Sequence, residues 1–313
     1  MKVFVAGASG AIGKRLVPLL ATNGYEVAAM TRSREKARAL FELGAEPIVA
    51  DGLDRPSVVS AVMNAEPEVV VHEMTDLGGV TSLKRFDDEL AATNRLRIEG
   101  TDNLLEGARA AGARRMVAQS YGVWRNEDGF DPDLPATMRR SRDAIQHVES
   151  TVSDAEGIEG LVLRYGLFYG PDTGLASEGP LIDLVRRRKW PIIGNGAGVW
   201  SFVHVDDAAA ATLAAIRRGA PGVYNVVDDE PAPLRVWLPE LAEVLGAKPP
   251  RHVGEWLGRI GVGEAGVYLA TRIRGLSNEK TKHELGWRLR YPSWRDGFRH
   301  GLAERPVETA RAA

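Results

Sequence analysis

Apolar positions along the chain fall into short continuous runs that alternate with helical spacings, and this alternation predicts most of the fold. Lys2 to Ala6 reads as a short buried strand. Ala11 to Asn23 reads as a helix with apolar residues at Ile12, Leu16, Leu19 and Leu20, and Glu26 to Met30 as a second strand. The pattern then repeats, with a helix over Ser33 to Leu43, a strand near Pro47 to Ala50, a helix over Pro56 to Ala65 and the apolar run Val69-Val70-Val71. Phe86 to Ala111 reads as one long helix, Arg115 to Ala118 as a strand, Pro135 to Ser153 as a helix, and Gly160 to Leu163 as a strand running into Arg164-Tyr165. Uninterrupted apolar strands separated by helices imply a parallel sheet covered on both faces. Beyond Pro171 glycine and proline thicken, while the helix Ala208 to Arg218 and the strand Val223 to Val227 read as returning sheet elements.

Composition narrows the partners. With 44% apolar residues, 26% charged residues and a net charge of −2, nothing points to a nucleic-acid surface or a polybasic membrane patch, so small molecules are the expected ligands. The absence of cysteine rules out disulfides, thiolate metal sites and cysteine nucleophiles, and no metal site is expected. The apolar start is too short for a signal-peptide core, and no segment holds the roughly 18 apolar residues of a membrane span. A cytoplasmic location is the expectation.

The chemistry begins at Gly7-Ala8-Ser9-Gly10-Ala11-Ile12-Gly13, a glycine loop between a strand and a helix. Gly7 permits a tight turn, Gly10 lets the backbone approach a pyrophosphate, Gly13 allows close helix packing, and the helix N-terminus offers amides and partial positive charge. The expected fold class is therefore α/β, a Rossmann-type doubly wound parallel sheet with a smaller C-terminal substrate lobe. The dinucleotide-binding domain spans about residues 1–170, with returning elements at about 200–228, and the lobe spans 171–313, its tail fraying from about Glu304.

In NAD-binding versions an acid ends the second strand to hold the ribose hydroxyls. Here the strand runs into Thr31-Arg32-Ser33-Arg34, with no carboxylate. Arg32 and Arg34, with the Ser33 hydroxyl, suit a 2′-phosphate, which makes NADP the expected cofactor over NAD; a solvated basic helix start explains the same residues. Asp51, followed by Gly52, suits the adenine end, and a helix N-cap at Asp54 is the alternative.

The chain resembles the extended short-chain dehydrogenase/reductase family, the group of sugar epimerases and dehydratases with atypical NADP-binding members. The resemblance rests on Gly7 to Gly13, Asp51, Val71-His72, Asn94 with Gly100-Thr101-Asp102-Asn103-Leu104-Leu105, Gln119-Ser120, Leu163 to Pro171 and Phe202-Val203-His204-Val205-Asp206-Asp207. It implies that Ser9, Ala11, Ile12, Met74, Thr75, Asn94, Gln119, Arg142 and Tyr165 also line the cofactor, and that two copies assemble as a homodimer through the helices at 86–111 and 135–153.

The family's catalytic centre uses a Ser, then a Tyr and a Lys one helical turn apart. In this chain Met138 stands where the Tyr belongs and Arg142 where the Lys belongs. A thioether delivers no proton, so the expected substitutes are Ser120 to orient a substrate carbonyl, Tyr121 or Tyr165 to exchange a proton, and Arg142 to hold the ribose. Either tyrosine also reads as a packing aromatic. Where nucleotide-sugar members carry an arginine for the diphosphate, this chain has Trp200, and with Trp190 nearby the expected substrate is a small apolar or aromatic carbonyl or hydroxyl compound. Lobe core is the competing explanation of both tryptophans, and the basic run Arg186 to Lys189 leaves an anionic substrate open. The leading function is an NADP-dependent oxidoreductase; a non-redox epimerase or dehydratase and a catalytically silent NADP sensor are the alternatives.

Overall fold

The computed structural model describes residues 1–77, 82–122, 124–126 and 129–303, so the expected frayed tail lies outside the described residues. Seven strands form the central sheet: β1 (Lys2–Ala6), β2 (Glu26–Thr31), β3 (Glu46–Val49), β4 (Val69–His72), β5 (Arg115–Tyr121), β6 (Glu159–Tyr165) and β7 (Gly222–Val226). Their order is β7-β6-β5-β4-β1-β2-β3, every neighbouring pair parallel. The order reverses between β1 and β4. Such a switch point opens a crevice at the carboxyl ends of the strands, where α/β sheets bind ligands.

The helices are α1 (Gly13–Thr22), α2 (Arg34–Glu42), α3 (Arg55–Ala65), α4 (Phe86–Glu89), α5 (Ala91–Ala110), α6 (Arg139–Ser153), α7 (Pro180–Arg186), α8 (Val205–Arg217), α9 (Leu234–Val244), α10 (Glu255–Thr271), α11 (Glu279–Leu285) and α12 (Trp294–His300). On one face of the sheet, Leu16, Val17 and Leu20 of α1 meet Ala208, Ala211 and Ile216 of α8. On the other, Val58 and Val62 of α3, Leu104 of α5 and Val148 of α6 make a separate core. Because both faces are covered, the strands carry apolar residues at consecutive positions rather than alternating ones. Among the described residues no helix is long and apolar enough to cross a membrane.

One expected element is divided. The helix expected over Phe86 to Ala111 breaks at Leu90 (φ −95°, ψ 9°) into α4 and α5. The short α4 aims Asp87 at the start of α6, where its carboxylate accepts from the Arg140 and Ser141 amides and the Ser141 hydroxyl. The first four amides of a helix have no intrahelical partner, and the buried Asp87 carboxylate satisfies two of them at the positive end of α6. Asn94 then donates to the Ser141 oxygen and ties α5 to the same point.

The lobe core is aromatic. Trp190, Trp200 and Trp237 meet edge to face at 5.2–6.2 Å, and Phe202, Trp294 and Phe298 extend the stack. Phe86, Trp124, Leu134, Met138 and Ile145 join this core from the N-terminal part of the chain.

Candidate active site

The glycine loop takes the shape its residues predict. Gly7 adopts φ +88°, and a Cβ there would lie 2.5 Å from the Glu73 carbonyl oxygen; a Cβ at Gly13 would collide with the Ala8 carbonyl. Only glycine satisfies both positions. Gly10 donates its amide to the Gly7 carbonyl at 3.0 Å, closing the turn. Ile12 caps α1 with no side-chain bond, and no acid stands in the first turn, so the positive end of the helix is left for an anion. Ala11 lies in this same turn. Ser9 Oγ lies 3.1 Å from Thr31 Oγ1 and fastens the loop to the end of β2. This cradle fits a dinucleotide pyrophosphate.

Around it, Arg32 is exposed and bonds Asp76 at 3.0 Å, while Arg34 opens α2 in solvent. Ser33 caps α2, its hydroxyl accepting from the Lys36 amide. Asp51 Oδ1 accepts from the Leu53 amide and closes a local turn, while Asp54 sits at the N-cap of α3 with no side-chain bond, so the side-chain cap is not formed at Asp54. Met74 packs over Gly52, where a Cβ would come within 2.5 Å of its sulfur. Thr75 follows Met74 at the crevice edge and is half-buried, and Gln119 is buried on β5.

Period-two alternation sorts the β5 and β6 side chains. Ser120 is turned toward α6, 3% exposed, and donates to Glu149 Oε1 at 2.7 Å. Arg164, its register partner on β6, holds both oxygens of the same carboxylate at 2.8 and 2.7 Å. The Ser120 hydroxyl is thus consumed by a buried ion pair. Tyr165, 1% exposed, points to the opposite face and lies 3.0 Å from Glu73 Oε1 and 2.7 Å from Thr212 Oγ1. The Tyr165 hydroxyl donates to Glu73 Oε1, and Thr212 also donates to the Ala208 carbonyl. Burial pushes the Glu73 pKa up to about 8, and the bond from Tyr165 opposes that rise.

Arg142 bonds the adjacent Asp143 and is one-third exposed, a weak surface pair that leaves it able to turn. Met138 is fully buried in the lobe core at the N-cap of α6. Trp200 and Trp190 belong to the same core, which accounts for their rings without a ligand. His72 Nδ1 accepts from the Met74 amide, and burial depresses its pKa to about 4, so it is neutral and no base. His204 is fixed between the Asp206 amide and the Gly301 carbonyl.

Tyr121 differs from the other hydroxyls. It ends β5, is half-buried, contacts the Trp124 ring edge-on at 5.5 Å, and makes no hydrogen bond among the described residues. Burial raises its pKa, and the charge of Arg97 opposes that rise. The sequence reading passed over Arg97, Glu73, Glu149 and Arg164. Arg97 was detectable: with Thr93, Gly100 and Leu104 it lies on the buried stripe of α5, where a lone cation breaks the pattern.

The model of the NAD dependent epimerase/dehydratase family matches residues 3–226. A 3-diazoavenalumate denitrifying reductase from a Streptomyces species is 44% identical, covering 95% of this chain and 99% of that protein. A 4-hydroxy-2-methyl-3-oxo-4-farnesyl-3,4-dihydroquinoline-1-oxide ketoreductase from Stigmatella aurantiaca is 28% identical and covers 92% of each chain. Among solved structures, Thermus thermophilus UDP-glucose 4-epimerase in complex with NAD is 25% identical with a TM-score of 0.72, covering 96% of this chain and 98% of that one. A human epimerase family protein with NADPH shares the fold at 18% identity and a TM-score of 0.74, covering 96% and 99%. With its glycine cradle, its strand order and a family match over most of its length, this chain belongs to the NAD-dependent epimerase/dehydratase family.

Proposed function

We propose that the protein is an NADPH-dependent reductase of a small aromatic acceptor, one whose reduction needs no dedicated acid. The observation that carries this reading is Met138: the helix position that would present a phenol is a thioether buried in the lobe core. Ser120 and Tyr165 do not replace it, because Glu149 and the Glu73–Thr212 pair already engage their hydroxyls. A nicotinamide bound at the crevice supplies hydride. A carbonyl that accepts hydride becomes an alkoxide and must be protonated. An arenediazonium that accepts hydride at the ring carbon instead loses dinitrogen and leaves the arene, and the balance closes with no proton. The Streptomyces relative is named for a denitrifying reduction of a diazo compound, which supports this choice.

The chain's own residues hold the cofactor. The amides at the start of α1 would hold the pyrophosphate, and Gln119 on β5 and Arg142, freed from Asp143, would hold the nicotinamide riboside. Arg32 and Arg34 take the 2′-phosphate; the Arg32–Asp76 pair is solvent-exposed and worth less than about 1 kcal/mol, so a phosphate displaces Asp76 readily. In fluorescence titrations, wild type is expected to bind NADPH at least about 10-fold tighter than NADH, and the combined Arg32→Ala, Arg34→Ala variant to lose that preference, about 1.4 kcal/mol. Equal affinities in wild type would sink the NADP assignment.

The chemistry is tested with NADPH deuterated at the transferable position, offered arenediazonium salts and aryl ketones. Deuterium on the ring carbon with release of dinitrogen is the expected result. Deuterated alcohols from the ketones alone would favour the second reading, carbonyl reduction, in which the unbonded Tyr121 hydroxyl gives the proton.

A further inference from the structure

One buried cation of α5, Arg97, has no carboxylate partner among the described residues. Arg97 is 6% exposed, and its Nε and Nη1 have no hydrogen-bond partner. Among the described residues no carboxylate pairs with it, and Tyr121 is the titratable neighbour that favours its charged form. Burial draws its pKa down to about 10, which still leaves a full positive charge at neutral pH. An unpaired buried charge costs several kcal/mol, so something that the folded chain lacks is expected to return that energy.

Its position says what. The charge of Arg97 acts on His72, the last residue of β4, and on Tyr121, the last residue of β5, so it stands at the carboxyl edge of the sheet, beside the crevice. Aromatic rings line the same corner: Tyr121 meets Trp124 at 5.5 Å, and Trp124 meets Phe86 at 5.3 Å. The indole nitrogen of Trp124 is a further buried donor without a partner.

We propose that Arg97 binds the carboxylate of an aromatic carboxylic acid whose ring lies against Tyr121. This deepens the reductase reading and rests on it only for the identity of the crevice. A neutral carbonyl would leave the guanidinium charge uncompensated. A phosphate dianion would overcompensate it, because His72 beside it is neutral. A monovalent carboxylate cancels the charge and matches the planar fork of donors.

The test is calorimetric titration of the full chain, with and without NADPH, using benzoate and 3-phenylpropanoate, their amides, and acetate. Wild type is expected to bind the aromatic acids at least about 10-fold tighter than the amides or acetate. Arg97→Met is expected to abolish that preference while NADPH affinity stays within a factor of about three. Ligand-free Arg97→Met should also melt at the same or a higher temperature, since an apolar side chain replaces an unpaired charge. A variant that melts several degrees lower and keeps the acid preference would overturn the proposal, making Arg97 a structural residue. Acetate binding as tightly as benzoate would overturn the aromatic part. If no acceptor oxidises NADPH yet acid binding still follows Arg97, the reductase reading fails and this one stands.

Discussion

Gly13→Ala is expected to weaken NADPH binding by at least about 100-fold, near 2.7 kcal/mol. The added methyl points at the Ala8 backbone, not at a side chain that can step aside. To admit it, the loop and the first turn of α1 must separate by most of an ångström. The same shift moves the amides that converge on the pyrophosphate, and overpacking of this kind also costs about 1–3 kcal/mol of stability. Gly261→Ala is the matched control, because no atom lies within 4 Å of a Cβ added there. Fluorescence titration of both variants separates the outcomes: unchanged affinity in Gly13→Ala would show that the loop does not hold the cofactor.

The second large effect concerns pH. Glu73 titrates near 8 in the folded chain, raised by burial from its ordinary 4.5. As pH rises, the unfolded chain therefore releases this proton first, the native state binds more protons, and stability falls with a slope approaching 1.4 kcal/mol per unit. Asp228, also pushed up to about 8 by burial, acts in the same direction. His72, depressed to about 4, acts in the opposite direction but only below about pH 6.5, where the unfolded imidazole takes up its proton. Between pH 6.5 and 8 wild type should thus lose roughly 2 kcal/mol through Glu73 and a similar amount through Asp228. Glu73→Gln, which removes the titrating carboxyl and keeps an acceptor oxygen for the Tyr165 hydroxyl, should lose only the Asp228 share. Urea unfolding at pH 6.5, 7.2 and 8.0 gives the two slopes, and parallel profiles would mean that Glu73 is ionised in the native state.

Most of what organises the fold was legible because it depends on local pattern. Apolar runs bounded by glycine or polar residues mark β1 to β6, and their lack of alternation already requires cover on both faces. The ends of α1, α2 and α3 came within about two residues, as caps and fraying allow, whereas α6 begins four residues later and α8 three residues earlier than the spacing implied. The break at Leu90 was not legible, because it serves Asp87, whose partners on α6 lie more than fifty residues away in sequence. The catalytic candidates divided for a similar reason. Ser120, Tyr121 and Tyr165 are equivalent as hydroxyls in the sequence, and strand alternation alone does not say which face meets an acid.

The sequence by itself determined the parallel sheet, the glycine cradle and a methionine where the family resemblance places a helix phenol. Each follows from residue type at a fixed local spacing: apolar runs, glycines where a Cβ has no room, and a methionine that holds no exchangeable proton. Tertiary structure alone decided which polar groups are engaged. Glu149 takes Ser120, Glu73 and Thr212 take Tyr165, and the lobe core takes Trp190, Trp200 and Met138, while Tyr121 is left without a hydrogen bond among the described residues and Arg97 without a counter-ion. Desolvation and pairing depend on which distant segments meet, and those meetings set the charge of Glu73, His72 and Arg97 in the crevice.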